Sequence, residues 1–212
     1  MIRIDLHTHS VASPDGSLNL NDYRIALTSG KLSSIAITDH DRIDFAVQAR
    51  AALSEAIIVG EEITTLEGEI IGLYLTQLVP AGLSATETVQ RIRKQGGLVY
   101  IPHPFETIRK GISPETLNKI AEQVDIIEVY NGRSLQNRGL SAAEWASTHH
   151  KAVASSSDAH GEIGWGKTYT ILSLLPQRET LLELLAKGTI HAGSTGLIGR
   201  LYPKFNRLRK KL

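Results

Sequence analysis

Short β-branched runs alternate with longer amphipathic stretches along most of this 212-residue chain, and that alternation limits the fold more than any other feature. The pattern predicts strands at 2–6, 34–38, 56–59, 97–101, 125–130 and 152–155. It predicts helices at 21–29, 44–54, 85–95, 114–122, 135–149 and 177–187. Ser84-Ala85-Thr86-Glu87 and Ser113-Pro114-Glu115 read as helix starts, a capping hydroxyl followed by an acid or a proline. One stretch departs from the rhythm: Leu66-Glu67-Gly68-Glu69 lies between two strand-like runs and reads as a hairpin. Strand–helix alternation calls for a parallel sheet, and six or seven such units call for a barrel. An apolar content of 42% and a charged content of 21% suit a globular chain with a sizeable core.

The residues able to bind metal fall where a barrel would gather them. His7 and His9, Asp39 and His40, Glu61 and Glu62, His103, Asn131, and Asp158 and His160 each lie at or just after a predicted strand end. In a β/α barrel those ends converge on one rim. If the first run is a strand, His7 and His9 also point to one face, because side chains alternate with period two. Alone, each motif is weak: His-x-His recurs by chance, and His-Pro or Asp-His is usually a turn or a helix start. Together they place five of eight histidines at strand ends. The competing reading is a rim of ordinary hydrogen-bonded polar residues. The chain has no cysteine, which excludes disulfides, thiolate catalysis and zinc–thiolate sites, so any ion must be held by nitrogen and oxygen ligands. His149, His150 and His191 lack a partner pattern and read as surface or core residues.

Asp5-Leu6-His7-Thr8-His9-Ser10, Ser13-Pro14-Asp15-Gly16, Thr38-Asp39-His40-Asp41, Gly60-Glu61-Glu62, His103-Pro104 and Ser157-Asp158-Ala159-His160 resemble, in order and spacing, the motifs of the polymerase and histidinol phosphatase (PHP) superfamily. The resemblance covers roughly residues 1–195. It implies an α/β fold, a distorted (β/α)7 barrel of TIM-like type with two or three divalent ions (Mn, Zn or Fe) at the rim, hydrolysing phosphate esters. Carried onto this chain, it implies that His7, His9, Glu62 and Asp158 hold one metal. Glu62 would bridge to a second that His103 also binds, and Asp15, His40 and His160 would hold a third. The family pattern favours Glu62 over Glu61, though the residues alone do not decide. Asp39 would support the ligands or serve the following helix start.

This chain departs from the resemblance at Glu69, where many relatives carry a histidine ligand of the second metal. The carboxylate either replaces imidazole, favouring harder ions than Zn²⁺, or faces solvent and leaves the second site weak. The chemistry itself has a physical reason. Cations neutralise phosphoryl oxygens that would repel a nucleophile, and they lower the pKa of bound water from about 15.7 to about 7. A metal-bridging hydroxide would attack phosphorus, with Asp158, His160 and Glu62 as supporting residues. Arg109, Arg133 and Asn131 are candidates for holding the substrate phosphate, against the alternative of solvated loop residues.

The division expected is a barrel over 1–199 and a basic amphipathic tail over 200–212. The tail carries six Lys or Arg and no acid, leaving a net charge of −5 on the rest. Its Leu201, Phe205, Leu208 and Leu212 form an apolar helical stripe that would dock on the barrel, contact nucleic acid or lie on an anionic membrane. No apolar run approaches the roughly 18 residues of a membrane span, and no leader precedes the first strand, so a cytoplasmic protein is expected. The leading reading is a phosphatase acting on a small phosphorylated metabolite or nucleotide. A nuclease is the alternative within the same chemistry, and a non-catalytic metal or phosphoryl-ligand module is the alternative outside it. Deleting 200–212 would separate phosphatase from nuclease if the tail only contacts nucleic acid.

Overall fold

The computed structural model describes residues 1–134 and 138–211. In chain order its elements are β1 (Ile2–Asp5), α1 (Leu20–Thr28), β2 (Ser34–Ile37), α2 (Asp44–Leu53), β3 (Ile57–Thr64), β4 (Glu69–Leu73), α3 (Ala85–Lys94) and β5 (Leu98–Ile101). There follow α4 (Pro114–Ile120), β6 (Ile126–Asn131), α5 (Gly139–Thr148), β7 (Ala152–Ser156), β8 (Tyr169–Leu172), α6 (Leu181–Ala186), β9 (Thr189–His191) and α7 (Gly196–Arg209). Ser84 and Ser113 cap α3 and α4 as their sequences predict, and Ser84 and Glu87 form a reciprocal capping box. The start of the helix predicted over 135–149 lies partly outside the described residues.

The strands form one sheet in the order β7-β6-β5-β4-β3-β2-β1-β8-β9. Pairing is parallel through β1-β2-β3 and β5-β6-β7, but β4 runs antiparallel to both its neighbours, as the predicted hairpin requires. The purely parallel sheet expected from the alternation is further broken by β8 and β9, an antiparallel pair on the far side of β1. Past the ends of β1 and β7 the sheet closes on itself. His9 N donates to Ala159 O at 2.9 Å and Asp158 N to His7 O at 2.9 Å. The result is a nearly closed barrel, a distorted version of the TIM type.

Alternation along the strands splits the core in two. Ile35, Ile37, Ile57 and Val59 pack with helix residues such as Ala46, Ala49, Val89 and Ile92. Their neighbours Ala36 and Ile58 join Ile4, Leu6, Ile71, Tyr100 and Ala154 from other strands, a meeting that only a curled sheet allows. Tyr100 carries this inner core up to the polar rim, its hydroxyl donating to Glu128 Oε1 at 2.8 Å. Among the described residues, no helix is long and apolar enough to cross a membrane.

Candidate metal centre

Strand β3 runs past its predicted end and contains both Glu61 and Glu62, so alternation sends them to opposite faces. The Glu62 carboxylate meets four imidazoles: His7 Nε2 at 3.3 Å, His9 Nε2 at 3.2 Å, His40 Nδ1 at 3.2 Å and His103 Nε2 at 3.1 Å. Glu61 turns away and accepts from Val79 N at 2.9 Å. Its burial pushes its pKa up to about 8. The two adjacent carboxylates are thereby told apart.

Asp158 lies opposite, with Oδ1 at 3.6 Å from His7 Nε2, 3.4 Å from His9 Nε2 and 3.3 Å from His160 Nδ1. Burial opposes its ionisation, but Arg133, His7, His9 and Arg109 outweigh that and hold it well below the ordinary carboxylate range. Asp158 and His103 both adopt left-handed backbone, at φ of 53° and 30°. Each costs about 1–2 kcal/mol for a non-glycine residue, and the strain falls on the site itself.

The protons on His7 and His9 follow from their outer partners. His7 Nδ1 lies 3.2 Å from a Glu128 carboxylate oxygen, which can only accept. Ser13 spends its hydroxyl proton on Asp39 Oδ1 at 2.8 Å and accepts from His40 N at 3.0 Å. It is therefore an acceptor for His9 Nδ1 at 3.2 Å. Both rings commit Nδ1 as donor to these partners and turn Nε2 inward, where the two Nε2 atoms stand 3.1 Å apart. A buried pair of ring nitrogens this close must share a cation, a proton in the metal-free protein or a metal ion that displaces it. Burial works against charge on His9, yet Asp158 and Glu62 outweigh it and lift its pKa to about 9.

Asp15, His40 and His160 form the second flank. Asp15 Oδ1 lies 3.4 Å from His160 Nε2 and 3.7 Å from His40 Nε2, and it is a buried oxygen without a hydrogen-bond partner among the described residues. Burial would raise the Asp15 pKa, but His160, His40 and His9 hold it well below the usual range. Burial and the neighbouring Arg133 push His160 down to about 3, so it stands as a neutral imidazole. The loop carrying Asp15 is braced by Asp39, which accepts from Ser10 N at 2.7 Å, Ser10 Oγ at 2.6 Å and Ser13 Oγ. Asp39 does not cap the following helix, since α2 has no side-chain cap.

Glu69, the residue that departs from the resemblance, is 7% exposed and so is not a solvent-facing hairpin residue. Its carboxylate reaches to 3.8 Å from His103 Nε2 and 3.9 Å from Lys110 Nζ. Burial, reinforced by Glu62, pushes its pKa up to about 8. Four overlapping triads keep one donor atom each within 4.8 Å of the others: His7/His9/Glu62, His7/His103/Asp158, His9/His40/His160 and His40/Glu62/Glu69. The oxygen and imidazole donors, the facing Nε2 pair and the orphaned Asp15 Oδ1 all fit divalent ions.

Both candidate arginines reach the centre. Arg133 Nη1 donates to Asp158 Oδ1 at 3.0 Å, and Arg109 Nη1 donates to Asp158 Oδ2 and to Asn131 Oδ1 at 3.1 Å. Arg109 Nη2 and Arg133 Nε are buried without a hydrogen-bond partner among the described residues. Asn131 differs from the expectation. Its amide donates to Glu128 and Asp158 and its oxygen accepts from Arg109 and Arg133 N, so its capacity is spent on bracing. A cleft of about 710 Å³ opens above, lined by five carboxylates (Asp15, Asp41, Glu62, Glu69 and Asp158) and six cations: Arg109, Lys110, Arg133, Arg200, Lys204 and Arg207.

Sequence reasoning missed Glu128, which holds His7, His103 N at 2.7 Å, Tyr100 and Asn131 together. Its signal was available: an acid in the middle of the apolar run Ile126–Asn131 must have buried partners. Ser13 and Glu106, which accepts from Arg109 Nε at 3.0 Å, carry no such signal. His149 and His191 lie away from the centre, stacked on Trp145 and Tyr169.

The basic segment corrects another expectation. It belongs to α7, whose stripe residues Leu201, Phe205 and Leu208 are 60–63% exposed, while Asn206 is 1% exposed. Leu212 lies outside the described residues. The helix docks by its polar side because the barrel surface beneath it offers backbone carbonyls and a carboxylate, which only donors satisfy. Arg207 donates to Asp15 Oδ2 at 2.6 Å, Arg200 to Ser134 O at 2.9 Å and Lys210 to Val11 O at 2.7 Å.

Comparison with known proteins decides the kinship. The uncharacterized protein MJ1587 of Methanocaldococcus jannaschii is 32% identical over 150 residues, covering 64% of this chain and 87% of that protein. The chain belongs to the family of MJ1587. A second uncharacterized protein of that organism, MJ0417, is 38% identical over 165 residues, covering 75% of this chain but only 65% of its own length. No family model matches. Among solved structures, a two-domain protein of Bacteroides vulgatus that contains a predicted PHP-like metal-dependent phosphoesterase superposes with a TM-score of 0.67 at 20% identity, covering 97% of this chain and 63% of that one. An amidohydrolase from Chromobacterium violaceum with bound sulfate and no metal gives 0.63 at 18% identity, covering 89% and 98%. The PHP resemblance of the motifs is borne out in the fold.

Proposed function

We propose that the chain is a metal-dependent phosphoesterase acting on small phosphate monoesters. Three divalent ions would be held by His7, His9, Glu62 and Asp158; by Glu62, His103 and Glu69; and by Asp15, His40 and His160. Glu69 in place of an imidazole favours Mn²⁺ or Fe²⁺ over Zn²⁺. When bound, such ions supply positive charge for the phosphoryl oxygens and water ionised near neutral pH.

The observation that carries the phosphoryl assignment is the pair of arginines. Each is anchored on Asp158 and keeps one buried nitrogen without a hydrogen-bond partner among the described residues, Arg109 Nη2 and Arg133 Nε. Anionic oxygens brought to these nitrogens would satisfy them. A neutral amide would bring no negative charge to these two guanidinium groups. Asp158 then fixes the arginines while serving a metal, and Glu128 and Asn131 fix Asp158.

A small substrate is favoured over a nucleic acid by the fate of the basic segment. Arg200, Arg207 and Lys210 are committed to contacts with the barrel, which leaves few cations to follow a polyanion. For the same reason, deleting 200–212 does not separate the two activities, because it also disturbs Asp15. The test is a panel of p-nitrophenyl phosphate, bis(p-nitrophenyl) phosphate, an oligonucleotide and an acyl amide with the Mn²⁺-loaded protein. Monoester hydrolysis is expected, falling to background in His9→Ala and Asp158→Ala. Undiminished activity in both variants, or amide turnover without phosphate turnover, would overturn the reading.

A further inference from the structure

Helix α7 docks with its apolar side outward. Leu197, Ile198, Leu201, Phe205 and Leu208 are all at least 60% exposed, while Asn206 in the same helix is 1% exposed. Apart from Gly199 and Pro203 the buried side of this helix is polar, so directional contacts do much to set its position. Those contacts converge on two places. Asn206 Nδ2 has two protons and spends one on Asp15 O at 2.8 Å and one on His160 O at 2.9 Å. Arg207 Nη2 donates to Asp15 Oδ2 at 2.6 Å. Tyr202 lies flat where a Cβ on Gly161, the residue after His160, would collide with its ring. Lys210 donates to the carbonyls of Val11 and Ser13, in the loop that leads to Asp15.

The two carbonyls that Asn206 joins belong to residues far apart in the sequence, yet both carry donors of the same flank. With Oδ2 held by Arg207, Asp15 is left with Oδ1 facing His160 Nε2 at 3.4 Å and His40 Nε2 at 3.7 Å. Among the described residues Oδ1 has no hydrogen-bond partner. We infer that Asn206 and Arg207 are positioning residues for the ion held by Asp15, His40 and His160: Asn206 sets the separation of the two loops, and Arg207 decides which Asp15 oxygen faces the ion. The inference rests on the three-metal reading above. It makes α7 part of the centre rather than an appendage to it. The opposing flank takes its support elsewhere than from Asn206 and Arg207: Glu62 lies within β3, and Glu128 and Ser13 bond the His7 and His9 rings.

The experiment measures metal content and affinity on the full chain, by elemental analysis after equilibration with buffered free Mn²⁺ and by calorimetric titration. Wild type is expected to bind three ions. Asn206→Leu is expected to keep two at wild-type affinity and to weaken the third by about 10–100-fold. The Arg207 side chain is 59% exposed, so Arg207→Ala tests the idea without a threat to folding. It is expected to weaken the same ion alone, and Arg207→Lys to recover part of the loss. Three ions bound at wild-type affinity in both Asn206→Leu and Arg207→Ala would overturn the inference and leave the three-metal reading intact. Equal weakening of all three ions would also overturn it, since a merely structural helix would act that way. A wild-type protein that binds fewer than three ions would remove the reading beneath it, and the inference with it.

Discussion

The two flanks of the centre are built by different means. On one, Glu62 sits inside a strand and His7 and His9 follow directly from another, so the sheet ladder places the donors and Glu128 and Ser13 need only fix their protons. On the other, Asp15 and His160 lie on loops and His40 is tied to β3 only by an isolated bridge to Glu62, so side chains contribute more of the geometry: Asp39 beneath, Asn206 and Arg207 above. The first flank inherits the rigidity of the barrel. The second is as exact as its hydrogen bonds.

Three measurements break or sharpen that contrast. The largest effect is expected from Glu128→Gln, which leaves the His7 ring free to swap tautomers. Manganese affinity at the strand-borne flank should fall by about 10–100-fold, as read by titration, with the loop-borne ion unaffected. A uniform loss would mean the flanks are not separable. The next effect is in pH. The raised pKa of His9, about 9, means that the metal-free strand flank holds a proton through neutral pH, which an entering ion must expel. Affinity there should rise by roughly tenfold per pH unit between pH 6 and 8 for each proton expelled. His160, lowered to about 3, has no proton to lose over that range. Calorimetry in buffers of different ionisation enthalpy will separate the two behaviours.

The smallest effect is expected from Glu61→Gln, the neighbour that faces away. The folded-state pKa of Glu61 is raised from 4.5 to about 8. Its contribution to stability is therefore complete below about pH 4.5 and is lost as pH rises through 8. A glutamine does not ionise, so the variant should gain on wild type as pH rises from 5 to 8, by several degrees in Tm (about 2–4 °C per kcal/mol). Metal content should be unchanged. Loss of metal in this variant would contradict the division of Glu61 from Glu62.

What the sequence disclosed follows the same line between ladder and loop. Alternation revealed six of the barrel strands and the hairpin before Glu69, because period-two and helical patterns are local. The short pair β8 and β9 escaped, and Glu62 was placed after a strand that in fact contains it. The donor residues were legible from their types and order. Their supports were not: Asn206 and Arg207 looked like parts of a basic amphipathic tail, since nothing local says that a helix will dock by its polar side. The exposure of Leu201, Phe205 and Leu208 depends on what the barrel offers beneath the helix, carbonyls rather than apolar side chains.

The left-handed backbone at His103 carries a consequence for anyone selecting variants of this protein. Glycine there would relax the chain and rid the fold of a buried imidazole in the same stroke, whereas glycine at Asp158 would strand the two guanidinium groups it anchors. A search guided by thermal resistance alone would be drawn to His103 and would harvest robust barrels that have lost a donor from the centre. Heat tolerance and metal retention pull in opposite directions there, so any such screen has to score both.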